Sequence, residues 1–309
     1  MADWLKDKVA VVTGAGGGLG RTIVLAMAAE GAKVVVNDLG GSSTGEGASK
    51  RAADVVVDEV KSAGGEAVAN YDSVTSMAGG ENIIQTAVDT YGKLDILVTC
   101  AGILRDRMVF NMSEDEWDSV IATHLKGTFA CAKPAAIVMR QQRSGRIITF
   151  TSTSGLYGNA GQANYSAAKS GIAGFTKVVA LDLGRYGVTV NSVAPMAGTR
   201  MTLTEEVKAA TKLRQERGVT RDGFGADAMP DLTELKPDDV APVVVYLASD
   251  AASDINGQVI YSAGGVLSLV QPPRPIRTIH STKRWTVEEL IETVPGTLMA
   301  GVTNPAPPQ

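Results

Sequence analysis

Short apolar runs alternate with longer stretches of helical periodicity along most of this chain. Val9–Thr13, Lys33–Asp38, Leu94–Cys100, Arg146–Thr151, Val188–Val193 and Gln258–Tyr261 read as strands, with a weaker one at Glu66–Asn70. Their continuous Val, Ile and Ala content lacks polar alternation, the mark of strands buried on both faces. Between them the spacing predicts a helix after the turn Gly14–Gly20 to about Glu30, others around Arg51–Ser62 and over Glu81–Tyr91, Gln162–Leu183 and Pro237–Ala248. Gly31 and Gly92 fall where helix C-caps are expected. Ser113 with Glu116 forms a capping box that opens a long helix toward Met139, which Pro134 is expected to kink or interrupt. Repeated βαβ units of this kind imply a parallel sheet covered by helices on both faces.

Two regions break the pattern. Arg200–Leu235 is a polar stretch between the sixth strand and the next helix, and it reads as a mobile lid. Its Met201, Leu203, Val207 and Leu213 either line an apolar pocket or pack the lid down. From about Leu267 the chain becomes an extension. It holds Pro272, Pro273 and Pro275, a short helical pattern near Val287–Thr293, and a Pro-rich tail from Asn304 predicted to be disordered. The division is therefore 1–266 for a single domain including a lid at 200–235, and 267–309 for the extension.

Length and composition narrow the class. The chain has 309 residues, 44% hydrophobic and 20% charged, which excludes a disordered chain, a collagen and a disulfide scaffold. A net charge of −4 supplies no global basic field for nucleic acid. Cys100 and Cys131 offer neither a disulfide framework nor metal-ligand spacing, so no metal is expected. Met1–Ala10 carries four charged residues and no apolar run of signal-peptide length, and no window approaches the ~18 apolar residues of a membrane span. A cytoplasmic protein with free thiols is the expectation.

The segment Thr13-Gly14-Ala15-Gly16-Gly17-Gly18-Leu19-Gly20 follows a strand and opens a helix. Glycines there let the backbone turn sharply and let a pyrophosphate approach the amides of a helix N-terminus. A glycine-rich turn alone is weak evidence, since it serves equally as a tight connection. Asp38, ending the next strand, strengthens it. A carboxylate there accepts the hydroxyls of an adenosine ribose and repels a 2′-phosphate, which favours NAD over NADP. The bland alternative for Asp38 is a turn residue before Gly40.

Tyr165 and Lys169 are one helical turn apart, so their side chains share a face. Ser152 ends the fifth strand, at the edge where open α/β sheets bind ligands. Oxidising an alcohol to a ketone removes a hydroxyl proton as hydride leaves. A Tyr with a pKa near 10 is a poor base at neutral pH. An adjacent Lys ammonium and a positively charged nicotinamide are expected to favour the phenolate, lowering that pKa by ~3 units at ~4 kcal/mol. Ser152 would hold the substrate oxygen, with Ser154 as the alternative.

Together these residues resemble the short-chain dehydrogenase/reductase family. The glycine motif, Ala101-Gly102 after the fourth strand, Ser152, Tyr165-x-x-x-Lys169, Ala194-Pro195 after the sixth strand and Asp254–Gln258 followed by Gly264-Gly265 carry the likeness, over about residues 5–265. The resemblance implies a Rossmann-type doubly wound sheet of about seven strands in the order 3-2-1-4-5-6-7. Asn37–Gly41, Ala69–Val74, Ala101–Arg107 and Gly158–Tyr165 look narrower still. They are similar to the dehydrogenase domains of peroxisomal multifunctional enzymes type 2, which act on (R)-3-hydroxyacyl-CoA thioesters and 17β-hydroxysteroids with NAD. That likeness implies Asp72, Ser73 and Val74 beside the adenine, Cys100, Ala101, Gly102 and Pro195 along the cofactor, and Thr199 on the nicotinamide amide. It also implies a homodimer or homotetramer built across the long helices.

Thr99-Cys100 stand where the family has two Asn, and His124 where it has a relay Asn. A relay role for His124 and a satisfied helix histidine both remain open, as does a catalytically silent NAD-binding sensor for the whole chain. Arg274, Arg277, Lys283 and Arg284 form a basic segment that either meets a CoA or is a solvated or subunit-contact stretch.

Overall fold

A computed structural model describes residues 3–47, 49, 51–198 and 235–302. Thr199 and the predicted lid at 200–234, like the Pro-rich tail, lie outside the described residues. The strands are β1 (Val9–Thr13), β2 (Lys33–Asn37), β3 (Glu66–Asn70), β4 (Ile96–Thr99), β5 (Gly145–Phe150), β6 (Val188–Met196), β7 (Val259–Ala263) and β8 (Val266–Leu269). The first seven are parallel in the order β3-β2-β1-β4-β5-β6-β7, as expected. The eighth was not foreseen. It runs antiparallel on β7, pairing Ile260 with Leu269 and Ala263 with Val266, so the boundary drawn at 266/267 falls inside a strand of the sheet.

Alternation along the strands explains the layers. In β1, Ala10 and Val12 enter a core with Ile23, Met27, Val56 and Leu247, while Val9 and Val11 enter another with Ile83, Leu97, Met139 and Ile147. The first core is covered by α1 (Gly18–Ala29), α2 (Arg51–Ser62) and the helix Ala241–Ala248. The second is covered by α3 (Met77–Tyr91), α5 (Gly127–Gln142) and α7 (Ala163–Leu183). Each fully buried Val, Leu or Ile contributes about 1.5–3 kcal/mol relative to exposure.

Three sequence expectations need correction. Helix α3 begins at Met77 rather than Glu81, because Ser76 caps it by accepting from the Gly79 N–H at 3.0 Å. The helix opened by the Ser113–Glu116 capping box, α4 (Glu114–Ile121), is interrupted by a single π-turn at Ala122–Lys126, not at Pro134. Pro134 lies inside α5, where its missing N–H forgoes the bond to the Ala130 carbonyl. The Gly80 backbone of α3 packs there: a Cβ at Gly80 would lie 2.2 Å from that carbonyl oxygen. Finally, Pro195 lies within β6 and not after it, paired with Ser262. Pairing with β5 ends at Val193, so beyond it the missing N–H removes no ladder bond on that side. Among the described residues no helix is long and apolar enough to cross a membrane.

Beyond β8 the extension also makes contacts within itself. The helix Val287–Thr293 is capped by Thr286 with Glu289. Arg277 donates to the carbonyls of Thr297, Leu298 and Ala300, and Lys283 pairs with Glu289 at 2.7 Å. Two cations of the basic segment are thus engaged within the extension itself.

Candidate active site

The order of strands reverses between β1 and β4, which opens a crevice at their carboxyl ends. The cleft there measures about 740 Å³ and is lined by Gly14, Leu19, Asp38, Asp72, Val74 and Ala101, among others. Gly18, Gly20, Ser73, Cys100 and Gly102 also line it, whereas Gly16 sits behind Asp38. The glycines are required by contact. A Cβ on Gly14 would lie 2.5 Å from the Ala101 Cα, and one on Gly20 would lie 2.2 Å from the Gly14 oxygen. Gly16 approaches Asp38 so closely that a Cβ would be 2.8 Å from its carboxyl carbon.

The Asp38 carboxylate accepts from the Gly16 N–H at 2.7 Å and from the Gly40 N–H at 2.6 Å. These bonds fix the carboxylate at the mouth of the glycine turn. Asp72 is held in the cleft by Asn70 and Asn82, which donate to its two oxygens at 2.9 and 3.2 Å. Asn37 ties this corner together, donating to Asn70 at 2.8 Å and to the Asp72 carbonyl at 2.9 Å. Arg105 is the only Lys or Arg among the described lining residues, and Thr44, Glu46 and Asp115 all engage it. The loop of Ser42–Gly45 arches over the cleft, with the Leu104 N–H donating to the Ser43 carbonyl at 3.1 Å. A glycine-walled cradle at the carboxyl ends of the strands suits a nicotinamide dinucleotide.

Thr13 also has a role that sequence reasoning did not assign. Its hydroxyl accepts from the N–H groups of Cys100 and Ala101 at 3.1 and 3.2 Å. It thereby braces the turn after β4, where this chain has Thr99-Cys100 in place of two Asn. Burial pushes the Cys100 thiol up to about 12, which makes it inert as a nucleophile at neutral pH.

Ser152, Tyr165 and Lys169 meet beside this cleft. Ser152 follows β5 and caps the short helix α6 (Thr153–Tyr157), accepting from the Ser154 N–H at 3.2 Å. Helix α6 lies directly on α7, since a Cβ on Gly155 would be 2.6 Å from the Lys169 Cβ. Tyr165 sits one turn into α7, where its N–H donates to the Asn164 side chain at 2.7 Å. Asn164, fully buried, donates in turn to the carbonyls of Arg105 and Glu116 at 2.9 and 2.8 Å. Lys169 is buried, donates to the Phe150 carbonyl at 2.7 Å, and its Nζ lies 5.5 Å from the Tyr165 ring centre.

The electrostatics of the protein alone run against the expected phenolate. Burial pushes the Tyr165 phenol up to about 12; a hydrogen bond from Ser152 pulls it down, and Asp106 and Cys100 push it further up. Burial also brings the Lys169 amine down to about 8. Desolvation is the largest influence on both groups.

His124 lies in the π-turn, 3% exposed, with its ring edge-on to Tyr165 at 5.1 Å. Its Nε2 is 2.8 Å from the Ile103 carbonyl oxygen and 3.1 Å from the Ile103 nitrogen, while Nδ1 has no partner among the described residues. Burial and the Lys169 charge bring its pKa down to about 3, so the imidazole is neutral. Gly102 makes room for it, because a Cβ there would come within 2.4 Å of the His124 ring.

Comparison with known proteins bears on the family and the fold. The short chain dehydrogenase family model matches residues 8–211. Peroxisomal multifunctional enzyme type 2 of Drosophila melanogaster is 48% identical over 260 residues; the match takes in 84% of this chain and 39% of that protein. Hydroxyacyl-CoA dehydrogenase ChsB1 of Mycobacterium tuberculosis is 41% identical over 308 residues, 94% of this chain and 88% of that protein. A solved short chain dehydrogenase from Mycobacterium avium superposes with a TM-score of 0.80 at 41% identity, covering 98% of both chains. With a family model over residues 8–211 and a solved short chain dehydrogenase of the same fold covering 98% of both chains, the chain belongs to the short-chain dehydrogenase family.

Proposed function

We propose that this chain oxidises the secondary alcohol of an (R)-3-hydroxyacyl-CoA thioester to the 3-oxoacyl-CoA with NAD. The observation that carries the reading is the cluster itself: the Tyr165 phenol with the Lys169 amine 5.5 Å from its ring centre and Ser152 at the end of β5, beside a glycine-walled cleft. NAD is favoured by Asp38 at the glycine turn and by the lack of a free cation among the described lining residues. The acyl-CoA substrate is supported by likeness to relatives called multifunctional enzyme and hydroxyacyl-CoA dehydrogenase.

Bound NAD would supply the acceptor for the hydride that leaves the carbinol carbon. The residues of the chain do the rest. Ser152 donates to the substrate oxygen and holds it against Tyr165. Tyr165 takes the hydroxyl proton in oxidation and returns it in reduction. Lys169, anchored by the Phe150 carbonyl, stabilises the phenolate. His124 holds the backbone of Ile103 at the floor of the site.

An oligomer fits the same reading. Phe129, Ile137, Val178 and Leu181 leave apolar side chains exposed on α5 and α7, and a second copy is the proposed cover. The test of function is a spectrophotometric assay at 340 nm with (R)- and (S)-3-hydroxybutyryl-CoA and both nicotinamide cofactors. Turnover of the R ester with NAD is the expected result. NAD binding without turnover across thioesters and hydroxysteroids would replace the enzyme by a sensor.

A further inference from the structure

A line of hydrogen-bonded polar groups, buried at Gln162 and Ser154 and exposed at Asp106, runs behind Ser152. Gln162 occupies the N-cap position of α7, yet its side chain caps nothing in that helix. It is 8% exposed, as is Ser154. Its Nε2 donates to Asp106 at 2.7 Å, and its Oε1 accepts from the Ser154 hydroxyl at 2.8 Å and from Asn159 at 2.7 Å.

The directions of these bonds are forced. A carboxylate only accepts, so Asp106 draws the NH₂ end of the Gln162 amide and turns its oxygen toward Ser154. Turned the other way, the amide oxygen would face the Asp106 carboxylate. With its oxygen toward Ser154, Gln162 obliges that hydroxyl to donate. Ser154 is thereby pinned, and its backbone N–H donates to the Ser152 hydroxyl at 3.2 Å. Ser152, already accepting there, has its own proton left to donate toward Tyr165 and the reacting oxygen.

We propose that Gln162, oriented by Asp106, is a positioning residue that fixes the donor direction of the Ser152 hydroxyl through Ser154. The proposal rests on Tyr165 being the acid/base group. It reassigns Ser154, the alternative substrate-binding serine, to a supporting role, because its hydroxyl proton is spent on Gln162. Asp106 adds an electrostatic consequence: its charge faces Tyr165 together with Cys100, Lys169 and the edge of His124, and it pushes the phenol up.

The test uses the full chain, acetoacetyl-CoA with NADH for reduction, and (R)-3-hydroxybutyryl-CoA with NAD for oxidation. Gln162→Met keeps the length and removes both polar ends. It should lower kcat at least tenfold while the KM for NADH stays within twofold. Asp106→Ala should fall similarly. Asp106→Asn retains an acceptor for Gln162 and should be at least fivefold more active than Asp106→Ala. Loss of the carboxylate charge lowers the Tyr165 pKa, so the rise of oxidation rate with pH should move to lower pH by about half a unit.

Unchanged kcat in Gln162→Met would overturn the proposal. So would an Asp106→Asn no better than Asp106→Ala, with an unmoved pH profile; this pair decides the matter if Gln162→Met does not fold. Tyr165→Phe is run alongside. Retained turnover there sinks the acid/base reading itself, whereas an inactive Tyr165→Phe beside a fully active Gln162→Met sinks only the positioning role. A wild type inactive toward both thioesters sinks both.

Discussion

At about 12, the Tyr165 phenol is a proton donor at neutral pH, ready for reduction and poorly suited to oxidation. Reaching neutrality takes about 7 kcal/mol of charge stabilisation, more than one buried amine beside the ring supplies. Below its pKa, each pH unit multiplies the phenolate fraction tenfold, so oxidation is expected to climb with a slope near 1 on a logarithmic plot through the neutral range, and reduction to decline. Stopped assays at constant ionic strength check this; a flat oxidation profile counts against Tyr165 as base. Tyr165→Phe is expected to lose about 10²–10⁴-fold in turnover with NAD affinity nearly intact, read by NADH fluorescence. Asp38→Ala is expected to raise NADP use relative to NAD at least tenfold, measured as the ratio of kcat/KM.

His124 gives a pH dependence of stability. Its native pKa of about 3 lies below the ordinary histidine value, so in acid the unfolded chain binds a proton that the folded one refuses. Stability is complete above about pH 6.5 and is lost as pH falls toward 3, by about 1.4 kcal/mol per pH unit from this group. His124→Asn should flatten that slope in urea titrations. Ser152, Tyr165, Lys169 and the glycines were legible because one helix turn or one strand end holds each motif. The roles of Thr13 and Gln162 were not, because their partners lie about 87 and 56 residues away in sequence. The raised phenol was not legible either, since burial is a property of the fold and not of a spacing.

Element by element, the seven parallel strands were legible to within about three residues at their ends, because continuous apolar runs leave a buried parallel strand few other readings, whereas the antiparallel β8, with exposed side chains, was not. The helices misled where backbone contact overrode local preference. Pro134 reads as a breaker, yet α5 carries it, and the break falls at the π-turn that presents His124 to the site. π-turns of one step favour functional positions for this reason: they rotate a side chain off the helical register. Gly79-Gly80 similarly delays the predicted start of α3, although these glycines exist for close packing against Ser73 and Ala130. Gly80→Ala is therefore expected to cost about 1–3 kcal/mol, visible as a lower urea midpoint with unchanged slope. A neutral Gly80→Ala would mean that α3 and α5 shift apart freely.

For the whole molecule, the proposed self-association would cover the exposed apolar side chains of α5 and α7. Leu181→Glu, at a side chain 83% exposed, is expected to lower the mass seen by light scattering without unfolding the chain. An unchanged mass would place the interface elsewhere. The antiparallel β8 carries a different consequence. Shortening the chain at residue 266, where the sequence pattern places the end of the domain, would strip the outer ladder from β7 and leave the N–H and C=O groups of that edge facing water. Such a fragment would have an open template for recruiting stray strands, and it should precipitate even with every catalytic residue in place.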